Sequence, residues 1–248
     1  MRAGISWSGG KESCLALWHA LEAGYAVKAL VNMASEKTGR CCFHGLARHV
    51  LNAQARALGI PLAQGIAPAD MAGYEQAFKK TILSVAGLDA MIFGDVYLEE
   101  HKSWIERVCN EIRIQPIEPL WNREPGELVG HFIELGFRAV IVSCDARLLD
   151  RNFCGRPLDK AAIEEITRLG LCPCGEHGEY HTFVIDGPIF KRRVSIVSAE
   201  VVRLDGAWPR WAYDVKKVRL QAKRRLGRPV LDRRSCRPKK QATKGGHA

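Results

Sequence analysis

Apolar runs of strand length alternate with helical periodicity along most of the chain. Arg2 to Trp7 reads as a short strand, after which Cys14, Leu17, Trp18 and Leu21 recur at the i, i+3, i+4, i+7 spacing of one helix face, with Gly24 as its stop. Ala26 to Met33 is the next strand, and Leu46 to Leu58 a helix closed by Gly59 with Pro61 beyond. Leu88 to Phe93 forms a third strong strand, and Ile105, Val108, Cys109 and Ile112 mark the face of the helix after it. Ala139 to Ser143 is β-like again, followed by a helix around Ala161 to Leu169 capped by Asp159. This alternation predicts an α/β fold, a parallel Rossmann-like sheet covered by helices. After Gly170 the rhythm changes: Pro173, Gly175, Gly178, Gly187 and Pro188 punctuate short β-like pieces such as Thr182 to Asp186 and Val194 to Val202. A boundary between Leu120 and Gly136 is expected, separating a nucleotide-binding domain over residues 1–130 from a smaller mixed α/β domain over 131–215.

A chain of 248 residues can bury roughly 70 to 75% of its unfolded surface without a disulfide or metal staple. No run approaches the ~18 apolar residues of a membrane span, and the chain enters a strand at once rather than a signal peptide. Nine cysteines, an odd number that includes the adjacent Cys41 and Cys42, fit reduced thiols in the cytoplasm. The net charge of +10 is unevenly placed: Lys216 to Ala248 holds 13 Lys or Arg against the single acid Asp232, a local +12 that leaves −2 on the first 215 residues. Residues 216–248 therefore read as an appended basic tail, disordered beyond about Val230. Such a tail either solubilises the protein or contacts RNA, a ribosome or an anionic surface by counterion release.

The sharpest chemical signal is Ser6-Trp7-Ser8-Gly9-Gly10-Lys11-Glu12-Ser13, where the first strand gives way to the first helix. Glycines let backbone N–H groups converge on an anion, the helix start adds unpaired donors, and Ser8, Ser13 and Lys11 add hydroxyls and charge. The register is not that of a Walker A loop, which would need glycine at Ile5 and Ser or Thr at Glu12. Cys172-Pro173-Cys174 with His177 and His181 brings metal-ligand residue types together, but one intervening residue is tighter than the C-x₂₋₄-C of zinc sites. His19, His44 and His49 read as packing or surface histidines, and Trp18 and Trp104 as core aromatics.

Ser8-Gly9-Gly10-Lys11-Glu12-Ser13 resembles the pyrophosphate loop of the N-type ATP pyrophosphatases, with Glu12 close to where their usual form has Asp. With Gly94-Asp95-Val96-Tyr97, Glu118-Pro119-Leu120-Trp121 and Glu176-His177-Gly178-Glu179-Tyr180-His181-Thr182, the chain is similar to the diphthine–ammonia ligase family and its bacterial relatives. The resemblance spans residues 5 to about 200 and implies an ATP-binding domain of the adenine nucleotide alpha hydrolase type, with ATP and Mg²⁺ as cofactors. It implies adenylation of a carboxylate, small or protein-bound, and amide formation with ammonia. One departure bears on the substrate: the eukaryotic and archaeal ligases typically read Glu-Gly-Gly-Glu-Tyr-Glu-Thr, so His181 stands where an acid is usual. That places the chain with the bacterial branch and leaves diphthine and a carboxylate of cobalamin or other cofactor metabolism as alternatives.

Within this resemblance Ser6, Ser8, Gly9, Gly10, Lys11, Glu12, Ser13, Gly94 and Asp95 are expected at the nucleotide, with Asp95 also a Mg²⁺ ligand because open parallel sheets place ligands past the strands' carboxyl ends. Its alternative is a helix-capping Asp ahead of Glu99 and Glu100. Tyr97, Glu99, Gly178, Tyr180, His181 and Thr182 are expected at the substrate, and Lys11, Asp95, Glu176 and Glu179 in catalysis, a carboxylate orienting ammonia or taking its proton. A tRNA-modifying enzyme with the same loop, or a nucleotide sensor without turnover, are the other classes; the tRNA thiolases usually carry a C-x-x-C pair that neither Cys41-Cys42 nor Cys172-Pro173-Cys174 supplies.

Overall fold

The computed structural model describes residues 1–42 and 44–223. Fifteen main elements follow in the order β1 (Arg2–Ser6), α1 (Lys11–Glu22), β2 (Ala26–Ser35), α2 (Arg48–Leu58), β3 (Leu62–Ala67), α3 (Met71–Leu83), β4 (Ala90–Ile92), α4 (Glu99–Glu111), β5 (Gln115–Ile117), α5 (Pro125–Glu134), β6 (Arg138–Asp145), α6 (Lys160–Arg168), β7 (Tyr180–Asp186), β8 (Arg192–Leu204) and β9 (Arg210–Ala222). The first five strands form a parallel sheet in the order β3-β2-β1-β4-β5. The chain leaves β1 for β2 on one side and later returns to β4 on the other, so the loops after β1 and β4 diverge at a topological switch point, the usual ligand crevice of such sheets.

Strand alternation covers both faces. Ala90 and Ile92 of β4 face one core cluster with Ile5, Leu15, Leu17 and Leu51, while Met91 and Phe93 join Val31, Met33, Phe78, Ile105 and Val108 on the other side, beneath α3 and α4. The second sheet is antiparallel, in the order β7-β6-β9-β8. The first cluster continues into it without a break, through Phe132 and Ile141 to Phe183 and Val215, so the two sheets share a core across α1 and α2.

Three of the helix starts, those of α3, α5 and α6, follow the chemistry of their caps. Asp159 accepts from Ala162 N at 2.9 Å and Asp70 from Gly73 N at 2.8 Å, while Glu124 accepts from two amides ahead of Pro125 at the first helical turn. Asp95 is not a cap: α4 begins after Leu98 without a side-chain acceptor. The expected domain boundary at residue 130 falls inside α5. The basic tail starts later than expected, because β9 runs through Lys216 to Ala222, paired to β8 from Leu204↔Arg210 to Arg192↔Ala222. Val215 is buried and Val218 and Leu220 pack on the core, which explains why the strand persists there despite its charge. The disorder expected beyond about Val230 lies outside the described residues, as does any RNA contact made there.

Candidate functional site

The loop after β1 is built by both sheets. Gly9 O accepts from Gln54 Nε2 of α2 and from Val184 N of β7, each at 3.0 Å, and Gln54 closes the arrangement by accepting from Trp7 Nε1 at 2.9 Å and donating to Val184 O at 2.7 Å. Lys11 N donates to Thr182 Oγ1 at 3.1 Å. Ser8 Oγ accepts from Gly10 N at 3.2 Å, and Ser13 Oγ donates to Gly10 O at 3.0 Å. Seen from the sequence, β7 looked like part of a separate domain; in the fold it is one wall of the glycine loop.

Lys11 is 2% exposed, with Nζ 2.5 Å from Glu12 Oε1 and 4.6 Å above the Tyr180 ring. Burial lowers its pKa, but the Glu12 carboxylate, with smaller contributions from Tyr180 and Cys174, outweighs it and the ammonium is held above the ordinary lysine value. Tyr180 is itself fixed by a 2.5 Å hydrogen bond to Pro173 O.

Beside the loop opens a cavity of about 530 Å³ at the carboxyl ends of β1, β2 and β4, a size suited to a nucleotide. Ser6, Ser8 and Asp95 line its polar side, and Tyr74, Phe78, Phe93 and Trp104 its apolar side. Trp104 is thus a cavity wall rather than a plain core aromatic, oriented by a 3.0 Å hydrogen bond from its indole N–H to Glu75. A second cavity of about 670 Å³, around Arg56 and Gly59 to Leu62, lies away from every residue expected in the site.

The two glutamates of the second-domain motif part company. Glu176 Oε1 accepts a single long bond from Val96 N at 3.3 Å, and burial, with the charges of Glu12 and Asp95, pushes its carboxyl up to about 7. Glu179 is 4% exposed, and both its oxygens are taken by backbone, Oε1 by Cys172 N at 3.1 Å and Oε2 by His177 N at 2.9 Å. That geometry ties the 172–177 loop through one backbone amide on each Glu179 oxygen. Tyr97 OH meets His177 Nε2 at 3.0 Å and Cys172 Sγ at 3.6 Å, joining the loop after β4 to the second-domain motif.

Gly94 packs on α1, where a Cβ would come within 3.0 Å of the Glu12 carbonyl carbon. Gly178 has open space around it and φ of 84°, so it serves the turn rather than an approaching ligand. Glu99 is exposed at the start of α4 and away from the cavity, which its neighbour Glu100 lines.

Asp95 Oδ1 accepts from His101 Nδ1 at 2.9 Å, and this bond leads the causes that raise the His101 pKa. Glu118 Oε1 is buried without a hydrogen-bond partner, its carboxyl raised by burial and by Asp95. Among the described residues no three His, Cys, Asp or Glu side chains form a ready metal cluster. Magnesium does not require one, since it is commonly held by one or two carboxylates together with substrate phosphates, and the oxygens of Asp95 and Glu118 suit it.

Sequence reading gave Gln54 no role and His44 only that of a packing or surface histidine. Both reach the loop from positions with no periodic or motif signal, and both act through tertiary contacts. His44 donates from Nδ1 to Thr182 O at 3.0 Å and its ring lies 4.6 Å from that of His181. Burial lowers the pKa of both imidazoles, that of His44 to about 4.

Residues 1–116 match the family described as diphthamide synthase N-terminal domain, and residues 124–219 its C-terminal domain. The chain is 27% identical to the diphthine–ammonia ligase of Bos taurus, over 82% of this chain and 85% of that protein. It is 26% identical to the diphthine–ammonia ligase of Homo sapiens, with the same two coverages. Among solved structures it is similar, at TM-score 0.43 and 17% identity over 75% of this chain and 98% of the other, to a Methanocaldococcus jannaschii protein described as a predicted subunit of tRNA methyltransferase. No helix among the described residues is long and apolar enough to cross a membrane.

Proposed function

The chain belongs to the diphthamide synthase family, through both domains of which it runs from residue 1 to residue 219, and from that premise we propose an ATP-dependent ligase that adenylates a carboxylate and converts it to an amide with ammonia. The observation that carries this reading is the Ser8–Ser13 loop itself, braced from the second sheet by Thr182 and Tyr180 and bordering the 530 Å³ cavity through Ser8. A phosphate cradle and a second-domain wall made at one place suit a reaction in which the nucleotide's α-phosphate must meet a second substrate.

In this reading the base lies among Tyr74, Phe78, Phe93 and Trp104, and the phosphates extend toward Ser6, Ser8 and the start of α1. The carboxylate oxygen attacks the α-phosphorus, and the bond to pyrophosphate breaks. The first-turn amides beyond that of Lys11, which Thr182 holds, and the Lys11 ammonium meet the charge that develops on the leaving group. Asp95 and Glu118 would hold Mg²⁺, whose contribution is to neutralise phosphate charge. Ammonia then attacks the acyl carbon and AMP departs. Glu176, with a pKa near 7, takes the proton that the nitrogen loses, while Glu179 keeps the 172–177 loop in place.

The work belongs in the cytoplasm, where ATP is supplied, and we put the division between domains within residues 117–123, a reading supported by family matches that end at residue 116 and resume at residue 124. Residues 224–248 carry nine Lys or Arg against Asp232 alone and are proposed as the element for an RNA or ribosome contact.

Chromatography of nucleotide products decides the reaction class. AMP and pyrophosphate formed in the presence of ammonium and a panel of carboxylates, diphthine among them, is expected. ADP and phosphate as sole products would remove adenylation, and ATP binding without turnover on any carboxylate would favour a sensor.

A further inference from the structure

The two loop glycines are glycine for different reasons. Gly9 has φ of 83°, a left-handed conformation that side chains resist. Gly10 has φ of −85° and ψ of −177°, extended values that any residue adopts. What excludes a side chain at position 10 is His44: a Cβ there would lie 2.5 Å from His44 Cε1 and 3.3 Å from both His44 Nδ1 and Ser8 Oγ.

The imidazole has little room to yield. Its Nδ1–H is bound to Thr182 O, its ring lies beside His181, and Thr182 in turn accepts the Lys11 amide through Oγ1. The segment carrying it, residues 36–47 between β2 and α2, is anchored at a second point. Arg40 Nη1 pairs with Asp214 Oδ1 of β9 at 2.9 Å and donates to Gly45 O at 2.9 Å, next to His44. Cys41 and Cys42 of the same segment line the nucleotide-sized cavity.

We propose that His44 is a positioning residue of the phosphate loop. Its ring fills the space a side chain at position 10 would need and, through Thr182, holds Gly10 and Lys11 in the register that presents the start of α1 to the phosphates. The Arg40–Asp214 pair holds the segment down. The functional half of this inference rests on the ATP reading above; the steric half does not.

A mutant cycle on the full-length protein tests it, with MgATP affinity by calorimetry and ligand-free melting temperature as readouts. Gly10→Ala is expected to weaken MgATP binding by about tenfold or more and to lower the melting temperature. In Gly10→Ala with His44→Ala the clash is gone, and affinity should return to within about threefold of His44→Ala alone. Gly9→Ala should gain nothing from His44→Ala, because its penalty lies in its own backbone and in Gln54 and Leu51, each 2.9 Å from where its Cβ would sit. Arg40→Ala should weaken MgATP binding and Arg40→Lys should restore it in part. A double variant no better than Gly10→Ala, or a Gly10→Ala protein that binds as the wild type does, overturns the proposal. Absence of MgATP binding by the wild type would overturn the ATP reading and the functional half with it, while the melting temperatures of the same cycle would still decide the His44–Gly10 contact.

Discussion

At position 11 a buried ammonium faces a carboxylate and a phenol ring, and its removal has two separable effects. Lys11→Ala should weaken MgATP binding and slow pyrophosphate exchange together, and should also destabilise the fold, since Glu12 loses its partner. Glu176 and Glu179 make a sharper contrast. If Glu176 takes the proton, the amide-forming rate should rise through pH 7, and Glu176→Gln should flatten that profile and lower the rate by ~10²- to 10⁴-fold while pyrophosphate exchange survives. Because its folded pKa is raised, Glu176 favours the fold below the ordinary carboxyl range, and that contribution is lost as pH rises through about 7. Glu179→Gln should instead cost stability, roughly 1–3 kcal/mol, because an amide nitrogen replaces one of two oxygens that accept backbone N–H groups. A rate loss without a stability loss in Glu179→Gln would return that residue to catalysis. The imidazoles run the other way: burial, then Arg123 and His131, lower His19 to about 4. It favours the fold above its ordinary 6.5, and that stability disappears as pH falls through about 4; denaturant titrations from pH 4 to 8 on His19→Gln should show a smaller acid loss.

Among the elements, α3 and α4 flank the cavity and are joined by Glu75 and by the pair between Lys79 and Glu111. Glu75 accepts from Trp104 Nε1 at 3.0 Å, Arg107 Nη1 at 2.9 Å and Lys79 Nζ at 2.6 Å. Glu75→Ala should lower stability by about 1–2 kcal/mol by leaving the indole N–H without its partner, change Trp104 fluorescence and weaken MgATP binding. An unchanged melting curve would mean that the helices are held by their apolar contacts with Phe78 and Ile105 and by the Lys79–Glu111 pair, without Glu75. These elements were legible to different degrees. The helix after β1 and the strands around Ile5, Leu30 and Ile141 announced themselves because each buries a full apolar stripe. The helix α3 did not, since it buries only Phe78, Thr81 and Ile82, and β5 is three residues long with a proline at its centre. β9 was hidden by its charges, which sit on a ribbon with one face in solvent.

For the molecule as a whole the carboxyl-terminal cut decides how far the fold extends. Truncation after Val215 removes Lys216 to Ala222 from β9, and with them the partners of the first half of β8; loss of cooperative melting is expected. Truncation after Lys223 should leave melting unchanged and, if the tail holds RNA, should abolish a binding whose affinity falls steeply with salt. Salt-insensitive RNA binding by both forms would take the electrostatic role away from the tail.

The parallel sheet, the glycine loop at the end of its first strand and the charge asymmetry could all be read from the chain, because each depends on neighbours within a few residues. Periodicity, turn chemistry and net charge are local quantities. The site itself was not local. Lys11 is joined to Thr182 and Tyr180, Gly10 to His44, and Gly9 to Gln54 and Val184, all across separations that no spacing rule reports. Packing also divided the two motif glutamates. One oxygen of Glu176 makes a long bond in a negative, desolvated corner, whereas Glu179 spends both of its oxygens on backbone, a difference set by which amides the folded loop turns toward each carboxylate.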